Sequence, residues 1–217
     1  MCGRFALTTP HQAVAQHFDA ILDPLAEMGV PPPPRRDVRP TQNLAAVALR
    51  DGARVLTAMR WGFLPHWYKT PSAGPLIINA RSETVADKPA FRTAIRERRC
   101  LLPANGFFEW RPGPEPGPKR VHWLAPRGEA LFAFAGVWRV WGEDGLATCA
   151  IVTCAANASL APIHHRMPIV IAPQDYALWL GEAGKGAARL MQPAAEDFFL
   201  DQPGRGPGEP AQAAPLI

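Results

Sequence analysis

The chain has 217 residues, 47% of them apolar and 19% charged, with a net charge of +4 and a pI near 9.1. That balance describes a globular domain able to fold alone, with no apolar run of membrane-spanning length and no basic-then-apolar leader, so a cytoplasmic, monomeric protein is expected. Mild basicity permits a polyanionic partner without demanding one. Cys2, Cys100, Cys149 and Cys154 form no C-x-x-C pair and no zinc spacing. No metal or cofactor is expected, and the last three cysteines read as buried thiols in a reducing compartment.

In chain order, Cys2 comes first. Removal of Met1 would expose a 1,2-aminothiol, an amine of pKa about 8 beside a thiol of pKa about 8.5. Such a group condenses with an aldehyde to an imine, on which the sulfur closes to a five-membered thiazolidine. The cation of Arg4 beside the thiol favours the thiolate. Thr9-Pro10 starts a helix with Val14, Phe18 and Leu22 on its buried face. Pro31 to Pro34 form a stiff loop, and strands around Ala45–Leu49 and Val55–Met59 flank a hairpin turn at Asp51-Gly52.

Residues 60 to 67, RWGFLPHW, place Trp61 and Trp67 in a turn-rich segment. It suits a platform for stacking bases and equally a loop whose aromatics cap the core. An apolar strand then ends in Asn79 and Arg81, types that orient a substrate oxygen and clamp a phosphate. Ser82 to Thr84 serve equally as the N-terminus of a helix. A helix is expected over about Lys88 to Arg98, with Phe91, Ala94 and Ile95 buried. Asn105-Gly106 reads as a tight turn between two short strands.

Glu109 stands among Phe107, Phe108 and Trp110, and desolvation by aromatics favours the protonated form of a carboxyl. The loop Arg111 to Lys119 interrupts the sheet, which resumes in strands over Val121–Leu124, Leu131–Trp138 and Thr148–Thr153. His164, His165 and Arg166 follow in a loop, a candidate acid/base centre ahead of the strand Ile169–Ile171. A last helix near Gln174–Leu180 stops at Gly181, and the tail over 201–217 is expected to be disordered.

Six of these segments, MCGRF, RWGFLPHW, NARSET, CLLPANGFFEW, FAFAGVW and IHHRMP, resemble in order the SRAP family of SOS-response-associated peptidases and abasic-site-processing proteins. The resemblance spans most of residues 1 to 200. It implies a sensor of abasic sites in single-stranded DNA that crosslinks the opened deoxyribose through a thiazolidine at its N-terminal cysteine. It places the nucleophile on Cys2, the orienting asparagine on Asn79, the proton-transferring glutamate on Glu109 and the histidine on His164. Phosphate contacts fall on Arg4, Arg81 and Arg166, and Trp61 and Trp67 lie in the segment lining the DNA groove. The same aminothiol and glutamate also suit self-cleavage of a short N-terminal extension.

Two departures from the family pattern stand out. Asp37 occupies the region where the family usually carries an asparagine ahead of A-P-T-Q, and Phe198-Phe199-Leu200 run into a Pro/Gly-rich tail. Two other functions compete: a glutamine amidotransferase using an N-terminal cysteine, and a single-strand binding module in which Cys2 is inert. For the fold, many short strands and few helices predict one α+β domain, a strongly curved, mainly antiparallel, barrel-like sheet with flanking helices.

Overall fold

The computed structural model describes residues 2–22, 29–113, 117–128 and 130–204. In chain order the elements are β1 (Phe5–Leu7), α1 (His11–His17), β2 (Ile21–Leu22), β3 (Arg35–Val38), β4 (Asn43–Arg50) and β5 (Ala53–Trp61). They continue with β6 (Asn79–Arg81), α2 (Ala94–Glu97), β7 (Arg99–Ala104), β8 (Gly106–Arg111), β9 (Arg120–Pro126), β10 (Phe132–Trp141) and β11 (Leu146–Ala155). The last are β12 (Arg166–Pro168), β13 (Val170–Ile171), α3 (Tyr176–Leu180) and β14 (Phe199–Pro203).

The larger sheet curls on itself. Its order runs β11-β10-β7-β4-β5, and β5 then pairs in parallel with β11 through Arg60–Thr148 and Trp61–Cys149, closing a ring. Closure removes the exposed edges such a sheet would otherwise carry. A second sheet, ordered β14-β9-β8-β1-β3, lies against it, and the two share one core. The α+β, barrel-like expectation holds. Strands such as Phe132–Trp141 and Leu146–Ala155 are apolar along most of their length because both faces are covered.

Local chemistry explains several elements. Asp51 and Gly52 both take positive φ, 49° and 79°, the geometry of a two-residue turn matched to the twist of β4 and β5. Gly181 ends α3 in the left-handed region at φ 101°, where a side chain would be strained. At Gly136 a Cβ would sit 2.6 Å from the Cys100 sulfur, so only glycine lets β10 approach β7 there.

Three local expectations give way to what the fold builds. Leu22 leaves the first helix and joins Ile21 in β2, parallel to β5. The helix expected over Lys88–Arg98 is regular only at Ala94–Glu97, the preceding residues forming successive turns. Asn105-Gly106 is no hairpin, since β7 belongs to the barrel and β8 to the second sheet. Asn105 instead staples that crossing to β1: its Oδ1 accepts the Thr8 N–H at 2.6 Å and its Nδ2 donates to Thr9 Oγ1 at 2.9 Å.

The tail expectation also moves. Asp201 to Pro203 extend β14 along β9, and Asp201 reaches the buried His122, with Nδ1 2.9 Å from Oδ1. Residues 205–217 of the predicted tail, Met1, and part of the 111–119 loop lie outside the described residues. Asp201→Ala should destabilise the domain by about 1 kcal/mol, since it strips a partner from a buried ring while leaving the strand backbone. Urea unfolding would check this, and an unchanged midpoint would mean that His122 needs no acceptor there.

Candidate active site

The pairing of β1 with β8 decides where the N-terminus lies. Phe5 is opposite Phe107 and Ala6 opposite Gly106, and the Phe108 N–H donates to the Arg4 carbonyl at 2.8 Å. Continued two residues further, that register sets Gly3 across from Glu109. Side chains alternate along β8, so Phe107 and Glu109 share the inner face, while Phe108 packs with Ala6 and Trp123, and Trp110 lies beside them. Two of the three aromatics expected to surround Glu109 therefore lie on the opposite face. Its burial, 4% exposed, comes from the fold rather than from those neighbours in sequence.

Cys2 is 1% exposed. Asn79, the first residue of β6, is held beside Ile151 of β11, and its Nδ2 donates to the Cys2 carbonyl at 3.0 Å. Its Oδ1 is buried with no hydrogen-bond partner among the described residues. His164 places Nδ1 3.7 Å from Glu109 Oε1, beyond hydrogen-bond reach, and Nδ1 accepts the Arg166 N–H at 2.9 Å. An accepting Nδ1 puts the ring proton of neutral imidazole on Nε2. His165 stacks on His164 with centroids 4.4 Å apart. The structure thus brings together Cys2, Asn79, Glu109 and His164.

Electrostatics set the protonation states. Burial pushes the Cys2 thiol far above its ordinary value, and the nearby charge of Glu109 raises it further. The Arg4 backbone N–H offsets this only in part. The thiol is therefore protonated at neutral pH. Burial also lowers His164, against the opposing pull of Glu109, so its ring is neutral at pH 7.

The expectation that the Arg4 cation activates the thiol is corrected by geometry. Its guanidinium grips Asp37 with two bonds, Nε to Oδ1 at 2.6 Å and an Nη to Oδ2 at 3.1 Å, and lies 4.8 Å over the Phe108 ring. Arg39 also bonds Asp37, and its hydrogen bond is the first cause holding that carboxyl below its usual range. Arg166 is likewise engaged: its Nη atoms reach Glu83 at 2.6 and 2.9 Å and the Thr153 carbonyl at 2.7 Å. The Arg166 hydrogen bonds hold Glu83 down at about 2.

Arg81 differs. It lies on β6 two residues after Asn79, on the same face, exposed and without an ion pair among the described residues. Trp61 is a core residue, 0% exposed, its Nε1 donating to the Ile78 carbonyl at 3.0 Å. A ring with no accessible surface cannot stack on a base, so the groove-lining expectation is corrected for Trp61. Trp67 stays 49% exposed.

Sequence reasoning missed His122 and Asp201. His122 pairs in register with Glu109, so the two side chains share one face. The available signal was a histidine at an inward position of the strand Val121-His122-Trp123-Leu124. Among the described residues no cluster of three or more His, Cys, Asp or Glu is placed to hold a metal ion.

The charge of Glu109 beside Cys2 makes a measurable demand. Glu109→Gln should lower the Cys2 pKa, raising the thiolate fraction at any fixed pH. Iodoacetamide labelling of Cys2, followed by mass spectrometry from pH 7 to 10, should be severalfold faster in the variant, with its profile shifted to lower pH. Superimposed profiles would show that burial alone sets the thiol.

Comparison with known proteins gives the ancestry of this arrangement. The family model for SOS response associated peptidase (SRAP) matches residues 1–201. Abasic site processing protein YoaM of Bacillus subtilis is 37% identical over 186 residues, covering 83% of this chain and 79% of its own length. Abasic site processing protein YedK of Escherichia coli is 30% identical over 199 residues, covering 88% of this chain and 85% of its own. A crystal structure of a Bacteroides thetaiotaomicron protein superposes with a TM-score of 0.79 over 94% of this chain and 92% of that one, at 23% identity, a likeness of fold. With a family model spanning nearly all the described residues, the chain belongs to the SOS response associated peptidase (SRAP) family.

Proposed function

We propose that this protein processes abasic sites in single-stranded DNA by forming a covalent thiazolidine between Cys2 and the opened deoxyribose. The observation that carries the reading is the placement of Cys2, its carbonyl held by Asn79, near the buried Glu109, whose Oε1 lies 3.7 Å from His164 Nδ1. Relatives named for abasic site processing support the substrate.

The protonation states dictate an order of steps. Once Met1 is removed, the Cys2 amine, not its protonated thiol, is the competent first nucleophile. It adds to the C1′ aldehyde, and the carbinolamine loses one water to give the imine. Glu109 then accepts the thiol proton, the sulfur adds to the imine carbon, and the nitrogen takes up a proton as the ring closes. The low-dielectric surroundings that raise the thiol pKa also make its thiolate reactive when formed.

His164 acts earlier, on the closed sugar. As the C1′–O4′ bond breaks, the C1′ hydroxyl gives up a proton and the ring oxygen takes one up through solvent water, while Nε2–H of the neutral His164 ring donates a hydrogen bond to that oxygen. Asn79 Oδ1 offers a buried acceptor for a sugar hydroxyl. Arg81 supplies the exposed cation on the same face, suited to a phosphate.

Denaturing electrophoresis after incubation with abasic single-stranded DNA tests the reading. A heat-stable adduct should form, and Cys2→Ala should abolish it while leaving non-covalent binding. Glu109→Gln should slow adduct formation by about 10²–10⁴-fold even on an aldehyde supplied ring-open, whereas His164→Ala should slow it mainly on closed abasic sites. Neutral His164 further requires that the closed-site rate not fall as pH rises through 6.5. Equal losses for both variants on both substrates would replace this division with one coupled relay.

Asp37 supplies a second test. Asp37→Asn releases Arg4, so DNA affinity should rise and the salt dependence steepen by about 0.7 in log–log slope for each phosphate newly neutralised. Arg81→Ala should do the reverse. Identical slopes for the wild type and Asp37→Asn would mean that Arg4 stays over Phe108 whatever faces it.

A further inference from the structure

Away from Cys2, a cleft of about 200 Å³ lies between the turns before α2 and the β10 strand. Arg92, Arg98 and Arg139 line it together with His66, Thr93 and Phe63, and no carboxylate does. None of the three arginines has an ion pair among the described residues. Arg139 is half-buried there, and burial followed by the like charge of Arg98 pushes its pKa down. Gathering three cations without a counter-charge costs free energy that an anion would recover.

Two further features qualify the anion. Beside the cleft stands Trp67, 49% exposed, its ring 4.9 Å from that of His66. A cationic groove next to an exposed aromatic is the pattern of single-strand binding, in which arginines track phosphates and a base stacks on the ring. The cleft is also tied to the Cys2 site. Phe63, in its wall, donates its N–H to the Ile77 carbonyl at 2.7 Å, two residues before Asn79.

We propose that the Arg92–Arg98–Arg139 cleft is a second nucleic-acid contact, holding backbone phosphates of the strand flanking the lesion while a neighbouring base stacks on Trp67. It rests on the reading that this protein takes single-stranded DNA. It adds a role that Arg4 and Arg166, both committed to carboxylates, do not fill in the structure.

The test uses the full chain, fluorescence anisotropy and an intact single-stranded 15-mer without an abasic site, titrated at several salt concentrations. Arg98→Gln/Arg139→Gln should weaken binding about tenfold or more and reduce the log–log salt slope by about 1.4, two phosphates at about 0.7 each. Because Arg139 is half-buried, Arg92→Gln/Arg98→Gln, at two exposed positions, provides a second variant, and thermal melting verifies that both fold. Trp67→Ala should weaken binding with the slope unchanged. Wild-type slope and affinity in both folded double variants would overturn the proposal. So would inorganic phosphate binding lost in the variants without any change in DNA binding, which would mark a small-anion site. Crosslinking of the wild type to abasic DNA is measured in parallel, so failure of the thiazolidine reading shows there and leaves the slope comparison to decide the cleft.

Discussion

The pairing of Phe5 with Phe107 is the constraint on which the site depends. It joins the first strand to a strand far along the chain, and a cluster of rings locks it. Phe5 meets Trp61 and Phe134 edge-on at 5.3 and 5.7 Å, and Phe107 meets Phe134 and Phe199 at 5.9 and 5.2 Å. Contacts of this kind contribute about 0.5–1.5 kcal/mol each beyond burial. Side chains alternate with period two, so a slip of one residue would turn Phe107 and Glu109 out of the inner face together. The apolar register that secures the core is therefore the same register that presents the carboxylate to Cys2.

Charge around the site is arranged to be held rather than exposed. Arg4 and Arg166, which sequence alone presents as free cations, each close on a carboxylate, Asp37 and Glu83. Bidentate guanidinium–carboxylate geometry fixes both partners, and in Arg166 it also ties β12 to the end of β11 through the Thr153 carbonyl. The Arg166 N–H in turn fixes Nδ1 of His164, so the ion pair, the strand end and the imidazole tautomer belong to one hydrogen-bonded unit. Cations without a carboxylate partner among the described residues are instead exposed groups such as Arg81 and the arginines of the cleft.

Burial does two things to Cys2. It keeps the thiol protonated, which protects it from adventitious oxidation and alkylation in the resting protein. It also places the group near a proton acceptor, Glu109, from which the proposed mechanism draws its thiolate only at ring closure. His122 and Asp201, on strands paired in series with Glu109's strand, brace the wall behind that acceptor and draw the last described strand into the domain.

Much of this was legible from residue order. The aminothiol at position 2 and the Asp51-Gly52 hairpin depend on local covalent and backbone chemistry. Chemistry-bearing types at Asn79, Glu109 and His164 were visible as residues, and the family resemblance assigned them roles. Their convergence was not legible, because it is made by pairings between distant strands, β1 with β8, β6 with β11 and the ring closure of β5 on β11. Nor was the fate of Trp61, Arg4 and Arg166. Whether an aromatic is core or platform, or a cation free or paired, is set by what the fold lays against it: Ile78, Asp37 and Glu83 are remote or unremarkable in sequence. The sequence by itself determined which reactive groups the protein owns. Only the tertiary structure decided their protonation and exposure, because desolvation and neighbouring charge are properties of packing in three dimensions.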